Sequence, residues 1–193
     1  LNVTQPAIIT GSASVTVQVP CNGGTATIRI IGGGGTAPLS YTFNGNTNTT
    51  GIFTGIIAGT GYTWSVNDAN GCAPATGTID VTQPAVITGS ASVTSPVLCF
   101  GGTGVVTLTG GGGTAPLSYT FNGLTNATGI FSGVTAGTGY IWSITDANSC
   151  NPVAGAIDMP QPAAITASAS VTSAITCFGG TATVTILGSG GTA

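Results

Sequence analysis

The sequence predicts an all-β protein: tandem immunoglobulin-like antiparallel β-sandwich repeats, one disulfide each, set end to end as a rod. Three observations lead there. The chain repeats at a constant step, shown by Cys21, Cys99 and Cys177 (99 − 21 = 78 and 177 − 99 = 78). Cys72 and Cys150, Trp64 and Trp142, and Gln5, Gln83 and Gln161 keep the same interval. Repetition of this kind decides the architecture before any local reading does. No stretch shows a helical apolar period, whereas several alternate like half-buried strands. About seven short strands per repeat, separated by turn signals, fit a two-sheet sandwich.

The period divides the chain. Residues 1–6 read as the tail of a preceding repeat, 7–84 and 85–162 as complete β-sandwich repeats, and 163–193 as the N-terminal part of a further one. There is no initiator Met, signal peptide or membrane span, so the sequence reads as an excerpt of a longer protein.

Apolar, β-branched runs cover Ile8–Val19 and Thr25–Ile31. Leu39, Tyr41 and Phe43 alternate with Ser40 and Thr42. A shorter run lies near Ile52 and Phe53. Tyr62, Trp64 and Val66 alternate with Thr63, Ser65 and Asn67, and Ile79 and Val81 follow the same rule. Between them stand Asn22-Gly23-Gly24, Gly32–Gly35, Asn44-Gly45, Ala58–Gly61 and Asn70-Gly71, all turn chemistry. The Gly32–Gly35 and Gly110–Gly113 runs lack the Lys and Ser/Thr of a phosphate loop and read as a hairpin or bulge. Tyr62 and Tyr140 open a strand just after a glycine-bearing corner, the position of a tyrosine corner. Trp64 and Trp142 share the alternating face of Tyr and Val and read as core; an exposed sugar-stacking role is the alternative.

Successive repeats join without a flexible spacer. Thr78–Ile87 runs from one repeat into the next through Gln83-Pro84, and Pro restricts its own φ and the residue before it. The expectation is a semi-rigid rod advancing roughly 30–45 Å per repeat, at about 3.3 Å per strand residue.

Each repeat carries one regular cysteine pair. Cys21 and Cys72, and Cys99 and Cys150, are expected as structural disulfides that pin the edge of each sandwich, in an oxidising compartment. Such a loop closure contributes about 4 kcal/mol. Cys177 is expected to be left unpaired by truncation, and free buried thiols are the alternative for the whole set.

Charged residues make up 3% of the chain: Arg29, Asp68, Asp80, Asp146 and Asp158. The hydrophobic fraction of 41% argues against disorder, which combines low hydrophobicity with high net charge. Polarity comes from Thr, Ser and Asn. Such a surface repels copies weakly, so lateral packing into a filament is one reading and plain solubility the other.

The same inventory bounds the chemistry. No His or Lys and one Arg leave no acid–base pair and nothing to activate a hydroxyl, so an enzyme is not expected. A basic nucleic-acid footprint is missing. No cofactor is expected. Asp68-Ala69-Asn70 and Asp146-Ala147-Asn148 could each offer calcium one carboxylate and an amide oxygen, but calcium takes about 6–8 oxygens and several carboxylates. An Asx-type turn closing before the cysteine is the preferred reading. Asn48-Thr49-Thr50 and Asn126-Ala127-Thr128 match the short N-glycosylation pattern at equivalent positions.

The ordered string Cys-x-Gly-Gly, Gly-Gly-Thr-Ala-Pro-Leu-Ser-Tyr, Ala-Gly-Thr-Gly-Tyr-x-Trp-Ser and Asp-Ala-Asn-x-Cys resembles the SprB repeat. Its matches are Cys21, Gly23, Gly24, Gly34–Tyr41, Ala58–Ser65 and Asp68–Cys72 in one repeat. In the next they are Cys99–Gly102, Gly112–Tyr119, Ala136–Ser143 and Asp146–Cys150, with Ser149 in place of a common Gly. The resemblance spans essentially the whole chain. It implies a very large cell-surface adhesin of a gliding Gram-negative bacterium of the Bacteroidota, exported by type IX secretion. The expected role is a structural stalk whose partners are neighbouring repeats, with other copies in a filament or surface polysaccharide as further partners. A polysaccharide-binding repeat and a self-assembling multi-chain fibre are the alternatives.

Overall fold

A computed structural model describes residues 1–192. Among the described residues it holds sixteen β-strands and no helix. The chain is all-β, and it forms two compact units. The first comprises Leu1–Val86 together with the loops Gly112–Ala115 and Asp146–Cys150; the second comprises Ile87–Gly111, Pro116–Thr145 and the residues from Asn151 onward.

In the first unit the strands are β1 (Thr10–Val17), β2 (Ala26–Gly33), β3 (Ser40–Phe43), β4 (Asn46–Asn48), β5 (Ile52–Ile56), β6 (Gly59–Asn67) and β7 (Ala75–Val81). They form a three-stranded sheet ordered β1-β2-β5 and a four-stranded sheet ordered β4-β3-β6-β7, antiparallel throughout. This is an immunoglobulin-like sandwich of seven strands. Alternation sets the faces. Ala26, Ile28 and Ile30 of β2 are buried, as are Phe43 of β3 and Val66 of β6, while the residues between them are less buried or exposed. Phe43 is the centre: its ring lies 5.5 Å from Phe53 and 5.4 Å from Tyr62. Burying side chains of this size contributes about 2–3 kcal/mol each.

The second unit repeats the plan. Its strands are β8 (Thr88–Ser95), β9 (Thr103–Gly111), β10 (Ser118–Phe121), β11 (Leu124–Asn126), β12 (Ile130–Thr135), β13 (Gly137–Thr145) and β14 (Val153–Met159), in sheets β8-β9-β12 and β11-β10-β13-β14. β15 (Ala163–Ser173) and β16 (Thr183–Gly191) then pair only with each other among the described residues. Their inner face is open. Val184 and Ile186 are 57% and 72% exposed, where their counterparts Val106 and Leu108 are 0% and 2% exposed.

Two glycine signals resolve differently. Asn44 and Gly45 both take positive φ (45° and 84°) in a two-residue loop that sets Phe43 opposite Asn46. This is the type I′ hairpin that Asn-Gly favours, because both central residues must be left-handed. The Gly32–Gly35 run is not a hairpin. Gly32 and Gly33 finish β2, and Gly34 and Gly35 turn away from it with φ of 72° and 64°. A Cβ on Gly34 would collide with the carbonyl of Ile8, so this run is where two backbones touch.

The tryptophans explain further glycines. Trp142 is buried, and Trp64 is half-buried against the core. The Trp64 indole covers Gly77, its cross-strand partner, and reaches Gly11 of the opposite sheet. A Cβ at Gly77 would sit 2.5 Å from the ring and one at Gly11 2.9 Å. The same contact recurs between Gly155 and Trp142. Gly77→Ala should therefore overpack this layer and cost about 1–3 kcal/mol. A urea midpoint equal to that of the parent chain would show that the indole has room to move.

Candidate functional site

The polar loop that follows β6 is organised by one carboxylate. Asp68 is buried, and its Oδ2 accepts from the backbone N–H of Thr36 (2.9 Å). Its Oδ1 accepts from the N–H groups of Asn70 (3.2 Å) and Cys72 (2.9 Å). The Asn70 amide donates to Thr36 Oγ1 (3.1 Å). Asp146 repeats the clasp on Thr114 and Cys150, each at 2.9 Å, and Asn148 donates to Thr114 Oγ1 (3.1 Å). These N–H donors, from Thr36 and Cys72 first, hold the Asp68 carboxyl below the usual carboxylate range, and those from Cys150 and Thr114 do the same for Asp146. The geometry is an Asx-type turn joined to the Gly35–Thr36 strand exit. Among the described residues no cluster of three or more His, Cys, Asp or Glu could hold a metal ion.

The remaining aspartates are used likewise. Asp80 Oδ1 accepts from Gly61 N–H and Asp158 Oδ1 from Gly139 N–H, both at 2.7 Å. Gly61 and Gly139 precede Tyr62 and Tyr140. The Tyr62 hydroxyl donates to the Ile57 carbonyl and the Tyr140 hydroxyl to that of Thr135, both at 3.2 Å. Each phenol thus bonds back across the corner between the fifth and sixth strands of its sandwich, the geometry of a tyrosine corner.

The cysteines pair otherwise than their spacing suggested. The disulfide joins Cys21 to Cys150, with a Cα–Cα distance of 5.5 Å and a sequence separation of 129. Cys72, Cys99 and Cys177 are free and exposed. The expected pairs Cys21–Cys72 and Cys99–Cys150 do not form, and the reason is the length of a strand. Cys21 lies past the Val17 end of β1. Cys72 lies at the opposite end, in a pocket shared with Gln5, Pro6, Ile8 and Ile9. The eight-residue strand separates the two ends by about 26 Å, whereas bridged Cα atoms lie within about 7 Å. The next repeat has a strand of the same length, β8, with Cys99 beyond its Ser95 end and Ala85, whose carbonyl Gly113 N–H reaches, before its Thr88 end.

Further residues complete the site around the disulfide. Asn148 donates to the Pro20 carbonyl at 2.8 Å, beside the sulfurs. On the other side Gln83 Oε1 accepts from Gly23 N–H (2.8 Å), and the Asn22 amide donates to the Pro84 carbonyl (3.1 Å). Sequence reasoning misses these roles. The recurrence of Gln5, Gln83 and Gln161 is the available signal, and Gln161 makes the same bond to Gly101 N–H at 2.8 Å. In the second unit a cleft of about 340 Å³ is lined by Phe121, Leu124, Ile130, Phe131 and Tyr140. The Tyr140 ring packs on Phe121 at 5.4 Å, tilted by 36°.

No protein-family model matches the chain, and no curated protein matches it. Solved structures similar to the chain include a C-terminal 282-residue fragment of intimin in complex with the intimin-binding domain of the translocated intimin receptor. That match has TM-score 0.45 and 15% identity, covering 83% of this chain and 67% of the other. Another is the three N-terminal domains of the highly immunogenic outer capsid protein of bacteriophage RB49. It has TM-score 0.43 and 10% identity, covering 94% of this chain and 69% of the other.

The clasps make stability depend on acid in a defined direction. A carboxyl depressed in the folded state contributes stability that is fully present above its unfolded value of about 3.9, and loses it as pH falls through the depressed value. Urea midpoints should hold from neutral pH to about pH 4 and fall below it. Asp146→Asn should lower the midpoint at neutral pH and flatten the acid limb. An unchanged slope between about pH 5 and 2 in that variant would remove the clasp from the account.

Proposed function

We propose that the chain is a stalk segment of a long extracellular repeat adhesin or surface filament, of SprB type, carried on the surface of a Gram-negative bacterium and without catalytic activity. The observation that carries this reading is the Cys21–Cys150 bond, which ties the first repeat covalently to a loop of the second. A covalent tie between repeats adds nothing to a pocket, but it resists extension. In the chain-entropy model closing a loop of this size contributes about 5 kcal/mol.

The use of charge supports the same reading. All four aspartates accept backbone N–H groups and hold loops in place. The two corner tyrosines commit their hydroxyls to backbone carbonyls and pack their rings on Phe43 and Phe121. These engagements of the aspartates and corner tyrosines support a stalk over a polysaccharide site built on those groups. A disulfide belongs in an oxidising compartment, which fits display outside the cell.

Pulled from its two ends in oxidising buffer, the chain should release no length from the 129-residue span closed by the disulfide. Adding a reductant should free about 430–460 Å, at roughly 3.3–3.6 Å per residue. Equal extension with and without reductant would sink the idea that this bond carries tension. Saturable binding of one polysaccharide on a glycan array, by a single repeat, would replace the stalk with a binding module.

A further inference from the structure

The free cysteines stand in surroundings that the bonded pair explains. Every repeat has a socket end and a plug end. The socket of the first repeat is Pro20-Cys21 with the turn behind it, in which Gly24 N–H reaches the Cys21 carbonyl at 2.9 Å and Gly23 N–H reaches Gln83. Seated on it is the Asp146–Cys150 loop, held by Asn148 and by the disulfide.

The second repeat builds the same socket. Gly102 N–H donates to the Cys99 carbonyl at 3.0 Å, and Gly101 N–H donates to Gln161 at 2.8 Å. Val97 is buried there as Val19 is in the first. Leu98, in the place of Pro20, is 74% exposed. Around Cys99 lies an open pocket of about 610 Å³, lined among others by Leu98, Phe100, Pro162, Ile165 and Ser189. The first repeat in turn carries a formed plug. Asp68 clasps Thr36 and Cys72 as Asp146 clasps Thr114 and Cys150. Asn70 makes the bond to Thr36 that Asn148 makes to Thr114, each at 3.1 Å. What Asn70 and Cys72 lack is a Pro20-type carbonyl and a partner sulfur.

We propose that these are docking sites for further repeats of this same kind, joined at the sequence separation of 129 that Cys21 and Cys150 already show. The Cys-x-Gly-Gly cysteine of each repeat binds the Asp-Ala-Asn-x-Cys loop of the one after it, so Cys99 receives such a loop and Cys72 is offered to a preceding socket. The hairpin β15–β16 stands in register for the repeat that would fill the Cys99 socket. Ser168 pairs Leu187 as Ser90 pairs Thr109, each one full period on. Its open face matches one that two complete sandwiches bury. The bond forms by thiol–disulfide exchange with a small-molecule disulfide. The two cysteine thiols lose their protons and become one S–S bond, and the small disulfide is reduced to two thiols. This stagger holds or fails independently of any role in adhesion.

The test appends a copy of residues 116–162 directly after Ala193, which completes a third repeat in unbroken period. The chain is refolded with oxidised glutathione and its disulfides are mapped by mass spectrometry. The expected result is Cys21 bonded to Cys150 and Cys99 bonded to the appended cysteine, with Cys72 and Cys177 free. A bond from the appended cysteine to Cys177, its partner within the repeat, overturns the proposal. So does a free Cys99 in folded chain. A second variant does not depend on the extension folding. In the chain of 193 residues, Cys21→Ser should leave Cys150 as a free thiol and Cys99 unmodified. A Cys99–Cys150 bond in that variant would show that the two ends of one repeat can meet, and would equally overturn it.

Discussion

An eight-residue strand holds its ends about 26 Å apart, and that distance governs the covalent chemistry of this chain. β1 carries Cys21 past one end and the Cys72 loop at the other. No adjustment of loops brings them within bonding range without dismantling the sheet. A sulfur at the end of a sandwich must therefore look outward for its partner, and Cys21 finds it in Cys150. The same geometry aims Asn148 at the Pro20 carbonyl and brings Gln83 under the glycine turn. The cysteine ends are consequently held by side-chain hydrogen bonds as well as by the sheets they close.

A chain with 3% charged residues has to satisfy its polar groups by other means. Backbone donors at tight corners are met by the four aspartates. On the outer faces, neutral hydroxyls pair across strands: Thr42 with Thr47 and Thr120 with Thr125, each at 2.9 Å, and Thr94 with Thr107 at 2.8 Å. Cross-strand Thr pairs contribute a few tenths to about 1 kcal/mol each, and unlike ion pairs they are indifferent to salt. Among the described residues no buried side-chain nitrogen or oxygen is left without a partner. The composition that looks impoverished for chemistry is sufficient for rigidity.

Much of this is legible in the sequence. Strict alternation at Tyr62, Trp64 and Val66 marks β6 and its inward face, and Asn44-Gly45 marks the hairpin, because both signals are local. The Tyr62 position is legible because a corner glycine beside a strand-opening tyrosine has few other uses. The glycine run at 32–35 reads as a hairpin or bulge, and it is not a hairpin, because what it accommodates is the backbone of Ile8, on the far side of β1 and β2 in the sequence. The cysteine pairing misleads for a related reason. A constant spacing from Cys21 to Cys72 and from Cys99 to Cys150 suggests a pair only if distance in sequence stands for distance in space, and the extended strand between them breaks that correspondence. Pro20 and Asn148 carry no signal of their own. They acquire a role only when residues 128 positions apart meet.

The invariance of the repeat length follows from these contacts. Several partnerships reach across most of a repeat or more, among them Gly23 to Gln83, Asn22 to Pro84, Gly101 to Gln161, Asn148 to Pro20 and Cys21 to Cys150. An inserted residue within a strand would move its inward set, such as Ile28 and Ile30, to the solvent face. An insertion in a glycine turn would separate Gly35 from the Ala7 carbonyl that it reaches at 2.8 Å, and so shift the Asp68 clasp that fixes the cysteine loop. Surface loops ordinarily tolerate length changes because their closure entropy grows slowly. Here the loops at both ends of the sandwich are also contacts. A chain that must present a sulfur, an amide and a carbonyl at the same place in successive repeats has little freedom to change its length.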